Sequence, residues 1–327
     1  MNNTRTLFWD TRYKRLRAGW RILLQFALNI GLILLLGTVV STILDPVIPS
    51  NVRGYLLAYP VMFVATLIAV WLAGHFLDRR RFSDFGLSIL KPAWWADFIF
   101  GVVLALVPVL IVLLTLQGLG WIALESVFRS KLAGGPIVLA LISVIMTHLC
   151  VGAFEEMARV YQVRNLLESV WVHFGRWGAA FVALGVAALI SVCMHLSELE
   201  LLPPIFLVYV LLDGVFLGLC YLVTGRAAIA IAAHSTVDLL LLTVFVLGTS
   251  AFFDGFVTLF RVRFTDPAST AFIATHLDAV VLIGLLIYEM VNLLALYVWV
   301  KMRYGKFSIA DNLALLTLLS ESNKGES

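Results

Sequence analysis

Long apolar stretches alternate with short polar connections along almost the whole chain. A helix needs about 20 mostly apolar residues to cross a bilayer. Eight segments approach or exceed that length: Trp20–Leu44, Tyr55–Leu77, Trp95–Leu116, Pro136–Ala158, Gly178–Leu196, Leu201–Val223, Ala227–Leu247 and Ala279–Val300. The pattern predicts an all-α, polytopic membrane protein of about eight transmembrane helices, a single membrane domain over 1–327. No internal repeat is visible. The polar ends, 1–19 and 305–327, are expected to be cytoplasmic tails, with Glu321–Ser327 disordered.

Composition removes the soluble alternatives. Of 327 residues 61% are hydrophobic and 13% charged, where a soluble domain carries about 25% charged residues. A net charge of +3 gives no argument for nucleic acid as a partner. The first apolar stretch is too long for a signal-peptide core, so no cleavable signal peptide is expected. Cys150, Cys193 and Cys220 all fall in apolar segments and form no CxxC pair, so they read as small packing residues.

Basic residues set the orientation. Of the 23 Lys and Arg, only Arg53, Arg129, Lys131, Arg261 and Arg263 fall on one side of the predicted layout. The other side holds Arg12-Lys14-Arg15-Arg17, Arg79–Arg81 and Lys301-Arg303-Lys306. By the positive-inside rule that side is cytoplasmic, and an even number of spans puts both termini there. The expected setting is a bacterial cytoplasmic membrane. The segment Arg12–Arg21, interleaved with Tyr13, Leu16 and Trp20, reads as a topology anchor or a short amphipathic helix on headgroups.

Against this background the adjacent Glu155 and Glu156 stand out. An ionised carboxylate in hydrocarbon costs roughly 2.5–3.5 kcal/mol or more, and two neighbours repel. Arg159 follows Glu155 by four residues and Glu156 by three, so it can pair with either. His148 lies seven residues before Glu155, a weaker candidate member. Further along, His195 precedes Glu198 by three residues, and His234 and Asp238 form an i,i+4 pair. Two carboxylates and two imidazoles suit activation of water, one group taking its proton and another stabilising the oxyanion. Glu155, His195 and His234 are equally the donors that zinc, as a candidate cofactor, would use. The HExxH and GxSxG motifs are absent. Asp213 and Glu289, without a local His or Arg, read as packing partners or cavity lining. The bland alternatives are a polar network that fixes helix packing and a pair of glutamates at the cytoplasmic interface.

Taken together these residues resemble the CPBP family of intramembrane proteases (CAAX proteases and bacteriocin-processing enzymes, also called the Abi family). That family carries EExxxR, FxxxH and HxxxN or HxxxD on separate helices. Glu155-Glu156 match the first, His195 the second, and His234 with Asp238 the third. Gly218–Gly225 and Phe85-Gly86-Leu87 are similar as well, and the motif core spans 136–245. Two positions depart from the pattern: the arginine stands at 159, where the motif would have it at 160, and Ser191 replaces the aromatic. The resemblance implies an intramembrane endopeptidase acting on a membrane-associated or hydrophobic peptide or protein. In it Glu155 activates water, Glu156 and Arg159 support it, and His195, His234 and Asp238 shape the oxyanion or metal site. Two other readings of the same residues stay open: a non-catalytic relative acting as an immunity or scaffolding binding protein, and a small proton-coupled transporter.

The predicted boundaries leave one conflict. They put Glu155 and His195 near opposite faces, about 20 Å apart at 1.5 Å per residue. A shared site requires the fourth helix to run past Arg159 toward Leu167, or the fifth to tilt or shift.

Overall fold

The apolar stretches do form helices, and prolines and glycines set most of their ends. A computed structural model describes residues 7–10, 14–44, 46, 57–130, 137–200, 204–247, 257–265 and 267–313. Helix α1 spans Ala18–Leu44. Helix α2 (Tyr59–Leu72) has a proline in its first turn and runs on as a π-helical stretch, Ala73–Asp78, which Arg79 ends in the left-handed conformation. Helix α3 (Pro92–Gly118) starts on a proline, where a missing N–H costs nothing. Helix α6 (Ile205–Thr224) is stopped by Gly225 at φ 65°. Helix α7 (Ala228–Leu239) is short and continues as a π-helical turn, Leu240–Val244. Helix α8 spans Pro267–Tyr304.

The fourth and fifth helices are the two arms of one continuous segment, Ile137–Met194, broken at Gly175 (φ 64°, ψ −172°). That backbone region is essentially glycine-only. We call the arms α4 (137–174) and α5 (176–194). Six described segments, this one counted once, are long and apolar enough to cross a membrane. Separating its arms and adding the shorter apolar Ala228–Val244 accounts for the eight expected helices. The chief change is in α4, which runs well past the predicted end at Ala158.

Helix α7 is the centre of the bundle. Ala228, Ala230, Ala232 and Ala233 are buried along it, and such small side chains let neighbouring backbones approach. A Cβ added at Gly101 of α3 would lie 2.6 Å from the Ile229 carbonyl oxygen and 2.8 Å from the Ala232 Cβ. One added at Gly152 of α4 would lie 2.8 Å from the Ser235 amide nitrogen. Glycine at both positions permits the close contact that carries α7 side chains to the face of α4.

The two ends of the bundle differ. One end gathers the basic residues. Asp78 takes Arg21 and Arg15, and Glu168 takes Arg15 and Arg80 (2.8 Å). Arg15 and Arg21 are therefore buried in ion pairs and do not lie on headgroups, and Arg15–Leu16 (β2) pairs with Trp9–Asp10 (β1) as a small hairpin. At the same end the buried Asp97 of α3 accepts from Arg226 Nη1 (2.7 Å), Tyr304 Oη (2.8 Å) and Trp299 Nε1 (3.1 Å). Residues 305–313, read from sequence as the start of a tail, are docked: Ala310 N–H donates to the Leu222 carbonyl (2.8 Å), and Arg176 donates to the Ile309 carbonyl. The opposite end carries a three-stranded sheet absent from the sequence reading. In it β3 (Ile122–Ser130) pairs antiparallel with β5 (Val257–Phe264), and β5 pairs parallel with β4 (Phe245–Leu247). The predicted seventh span thus ends in a strand. Of the cysteines, Cys150 and Cys220 are buried while Cys193 is exposed. The predicted disorder of Glu321–Ser327 lies outside the described residues.

Candidate active site

The hairpin at Gly175 decides which residues of α4 and α5 meet. Antiparallel arms bring together positions equally distant from the bend. Glu155 lies 20 residues before Gly175 and His195 20 residues after it. Arg159 and Ser191 each lie 16 away. Both pairs are in contact: His195 Nε2 is 4.0 Å from Glu155 Oε2, and Arg159 Nη2 donates to Ser191 Oγ at 3.1 Å. The conflict over depth is thereby removed by the longer α4.

Helix α7 completes the cluster from the other side. His234 Nε2 lies 3.9 Å from the same Glu155 Oε2 and 3.6 Å from Asp238 Oδ2. Its Nδ1 is 2.8 Å from Glu156 Oε1. The same Glu156 oxygen accepts from Arg159 Nη1. The two glutamates therefore diverge, as adjacent residues on a helix must. Glu156 is buried, 1% exposed, and bonded from two sides; Glu155, at 21%, faces the cluster with both Nε2 atoms before it. Glu156 Oε2 has no hydrogen-bond partner among the described residues.

Each sequence candidate can now be placed. Glu155, Glu156, Arg159, His195, His234 and Asp238 share one cluster. Arg159 pairs with Glu156 and hydrogen-bonds Ser191; it forms no ion pair with Glu155 within 4 Å. Val160, where the motif would put the arginine, is 1% exposed in the apolar core beside Met157 and Tyr161. The helix register therefore aims 159 at the site and 160 into packing. His148 Nε2 is 2.9 Å from Thr243 Oγ1. Glu198, in the turn after His195, is half-buried; burial pushes its carboxyl up, His195 opposes this and Glu155 adds to it. Ser191 was visible in sequence only as a missing aromatic. Its contact with Arg159 joins the two departures from the motif in one hydrogen bond.

The metal option can be tested on donor spacing. Zinc with bonds of about 2.0–2.1 Å would hold tetrahedral donors about 3.3–3.4 Å apart. Glu155 Oε2 is 4.0 and 3.9 Å from the two Nε2 atoms. Among the described residues no group of three or more His, Cys, Asp or Glu is arranged to hold a metal ion. As arranged, the donors do not fit zinc. The spacing does fit a single water, because atoms up to about 5.6 Å apart can share one through two hydrogen bonds of ~2.8 Å.

Fold and site together define a polytopic helical membrane protein whose carboxylates and imidazoles converge from three helices. Residues 137–240 match the family model described as type II CAAX prenyl endopeptidase Rce1-like. This stretch carries every residue of the cluster. It is CAAX-protease-like at the family level, in keeping with the resemblance to the CPBP intramembrane proteases. No curated protein and no solved structure matched the chain.

Proposed function

We propose that the chain is an intramembrane endopeptidase that hydrolyses a peptide bond of a membrane-associated or hydrophobic substrate. The observation that carries this reading is the convergence of His195 Nε2 and His234 Nε2 on one oxygen of Glu155, at 4.0 and 3.9 Å. A water held among these three atoms has a carboxylate to take its proton and two imidazoles beside it. Attack on the scissile carbonyl forms the tetrahedral intermediate. His195 Nδ1 faces the Ser191 carbonyl (2.8 Å) and His234 Nδ1 the Glu156 carboxylate, so each Nδ1 carries a hydrogen, and Nε2 offers an N–H to the oxyanion in the imidazolium form. Glu155 returns the proton to the leaving amine as the C–N bond breaks, which balances the hydrolysis.

The remaining residues hold this arrangement. Glu156 anchors His234 through Nδ1 and is itself fixed by Arg159. With Nδ1 committed, Nε2 is the nitrogen turned to the reacting water. Asp238, one turn on, lies 3.6 Å from that nitrogen and completes the polar rim. The match to a CAAX prenyl endopeptidase model supports a membrane-held substrate. The deciding test is cleavage of a membrane-substrate library, with farnesylated CaaX peptides included, by purified protein in nanodiscs. Products should appear with wild type and vanish with Glu155→Ala. No cleavage by wild type, together with an unchanged cellular phenotype for Glu155→Ala, would instead leave a non-enzymatic binding protein of the same fold.

A further inference from the structure

A second polar cavity, of about 450 Å³, lies at the basic end, between the start of α3, the middle of α4, the α6–α7 turn and residues 304–312. Its floor includes Arg164, only 3% exposed. Arg164 Nε and Nη1 have no hydrogen-bond partner, and no acid among the described residues pairs with this guanidinium. A buried, unpaired guanidinium is expensive, and an anion in the cavity would answer it. Lys91, exposed at the mouth, likewise has no paired acid among the described residues.

The other basic residues lining the cavity are already engaged. Arg226 is bonded to Asp97 (2.7 Å) and Lys306 to Asp311 (3.1 Å). Asp84 accepts the neutral Arg81 amide N–H (3.0 Å), so it keeps its negative charge on the lining. Two helices also begin at the cavity, α3 after Lys91 and α7 after Ala227, and neither start is capped by a side chain. Pro92 has no N–H and Trp94 N–H already donates to the Lys91 carbonyl (2.9 Å), so what these starts add near the cavity is the positive end of the helix dipole, which favours an anion. Arg164 lies eight residues beyond Glu156, and Arg226 eight before His234. At 1.5 Å per residue the cavity is about 12 Å from the carboxylate–imidazole cluster along both helices, so it is a separate site.

We propose that this cavity binds a phosphate group, supplied either by the headgroup of an anionic lipid or by a free phosphate compound. Arg164, on the helix that carries Glu155 and Glu156, and Lys91, just before α3, would hold it. The test uses full-length protein in phosphatidylcholine nanodiscs, with thermal unfolding and binding isotherms as readouts. One arm titrates inorganic phosphate; the other replaces part of the phosphatidylcholine with phosphatidylglycerol. Stabilisation in the lipid arm alone identifies a headgroup, and stabilisation by inorganic phosphate identifies a soluble ligand. In either case Arg164→Gln and Lys91→Gln should each raise the apparent dissociation constant, Arg164→Gln by about tenfold, one charge-assisted bond's share. Lys91 is exposed and its variant should fold, so it decides the matter if Arg164→Gln does not. No response in either arm, or equal responses from wild type and Lys91→Gln, overturns the proposal.

Discussion

Two side chains that break the family motif meet in this structure. Arg159 sits one residue early, and Ser191 has lost an aromatic ring; the first donates to the second at 3.1 Å while holding Glu156. A serine leaves room for a guanidinium there and gives it an acceptor. Ser191→Phe is therefore expected to push Arg159 off Glu156 and lower turnover, and Ser191→Ala to do so more mildly. Arg159→Lys should fall between them and Glu155→Ala, because an ammonium lacks the planar fork that serves two partners. Loss of Glu155 itself should cost roughly 10²–10⁴-fold, the range for a general base. Single-turnover kinetics on a fluorogenic membrane peptide would rank the four. Moving the arginine to the motif position is not expected to help: Val160→Arg would put a charge into the apolar core. Chelators should leave turnover unchanged, since the donors around Glu155 are spaced for water; inhibition reversed by added zinc would contradict that.

At the scale of elements, most of the helices were legible in the sequence, because apolar runs of membrane length leave little choice. What escaped was where helices pass beyond the hydrocarbon. Ala158 looked like an end because Arg159 and Arg164 follow, yet both are satisfied within the protein or line a cavity, and α4 continues to 174. The motif residues could be named from their order, but their common depth depends on that continuation. The sheet was missed for another reason. Strands β3 and β5 lie more than 120 residues apart, and their alternation is masked by apolar side chains on both faces, such as Ile122, Leu124 and Val127. Two element-level changes test the packing argument. Gly152→Val should wedge α4 from Ser235 of α7 and cost about 1–3 kcal/mol, as overpacking does, with activity falling because His234 retreats from Glu155. Asp97→Ala should lower stability by roughly 3–5 kcal/mol, as removal of one partner from a buried ion pair does. Thermal unfolding in detergent measures both.

For the whole molecule, the separation of charge between its ends predicts how it sits. The ion pairs of Arg15, Arg21, Arg80 and Arg226 all lie at the end opposite the sheet. With that end cytoplasmic, reporter fusions at Arg79–Arg81 and at the C-terminus should report inside, and a fusion in the β5 segment outside. A signal from outside the cytoplasm for the C-terminal fusion would reverse the assignment. The hairpin at Gly175 has a further, mechanical meaning. His195 sits at the end of α5 and Glu155 about half-way along α4, each about 30 Å from the single glycine that joins the arms, 20 residues at 1.5 Å each. If the arms act as stiff levers, opening the angle between them by 5° would part points 30 Å from the bend by about 2.6 Å, enough to separate the carboxylate from the imidazole. Gly175→Ala, which the observed φ and ψ disfavour, should therefore slow catalysis from three nanometres away while the cluster's own residues stay intact. A bend at the basic end would set the aperture of chemistry half-way along the bundle.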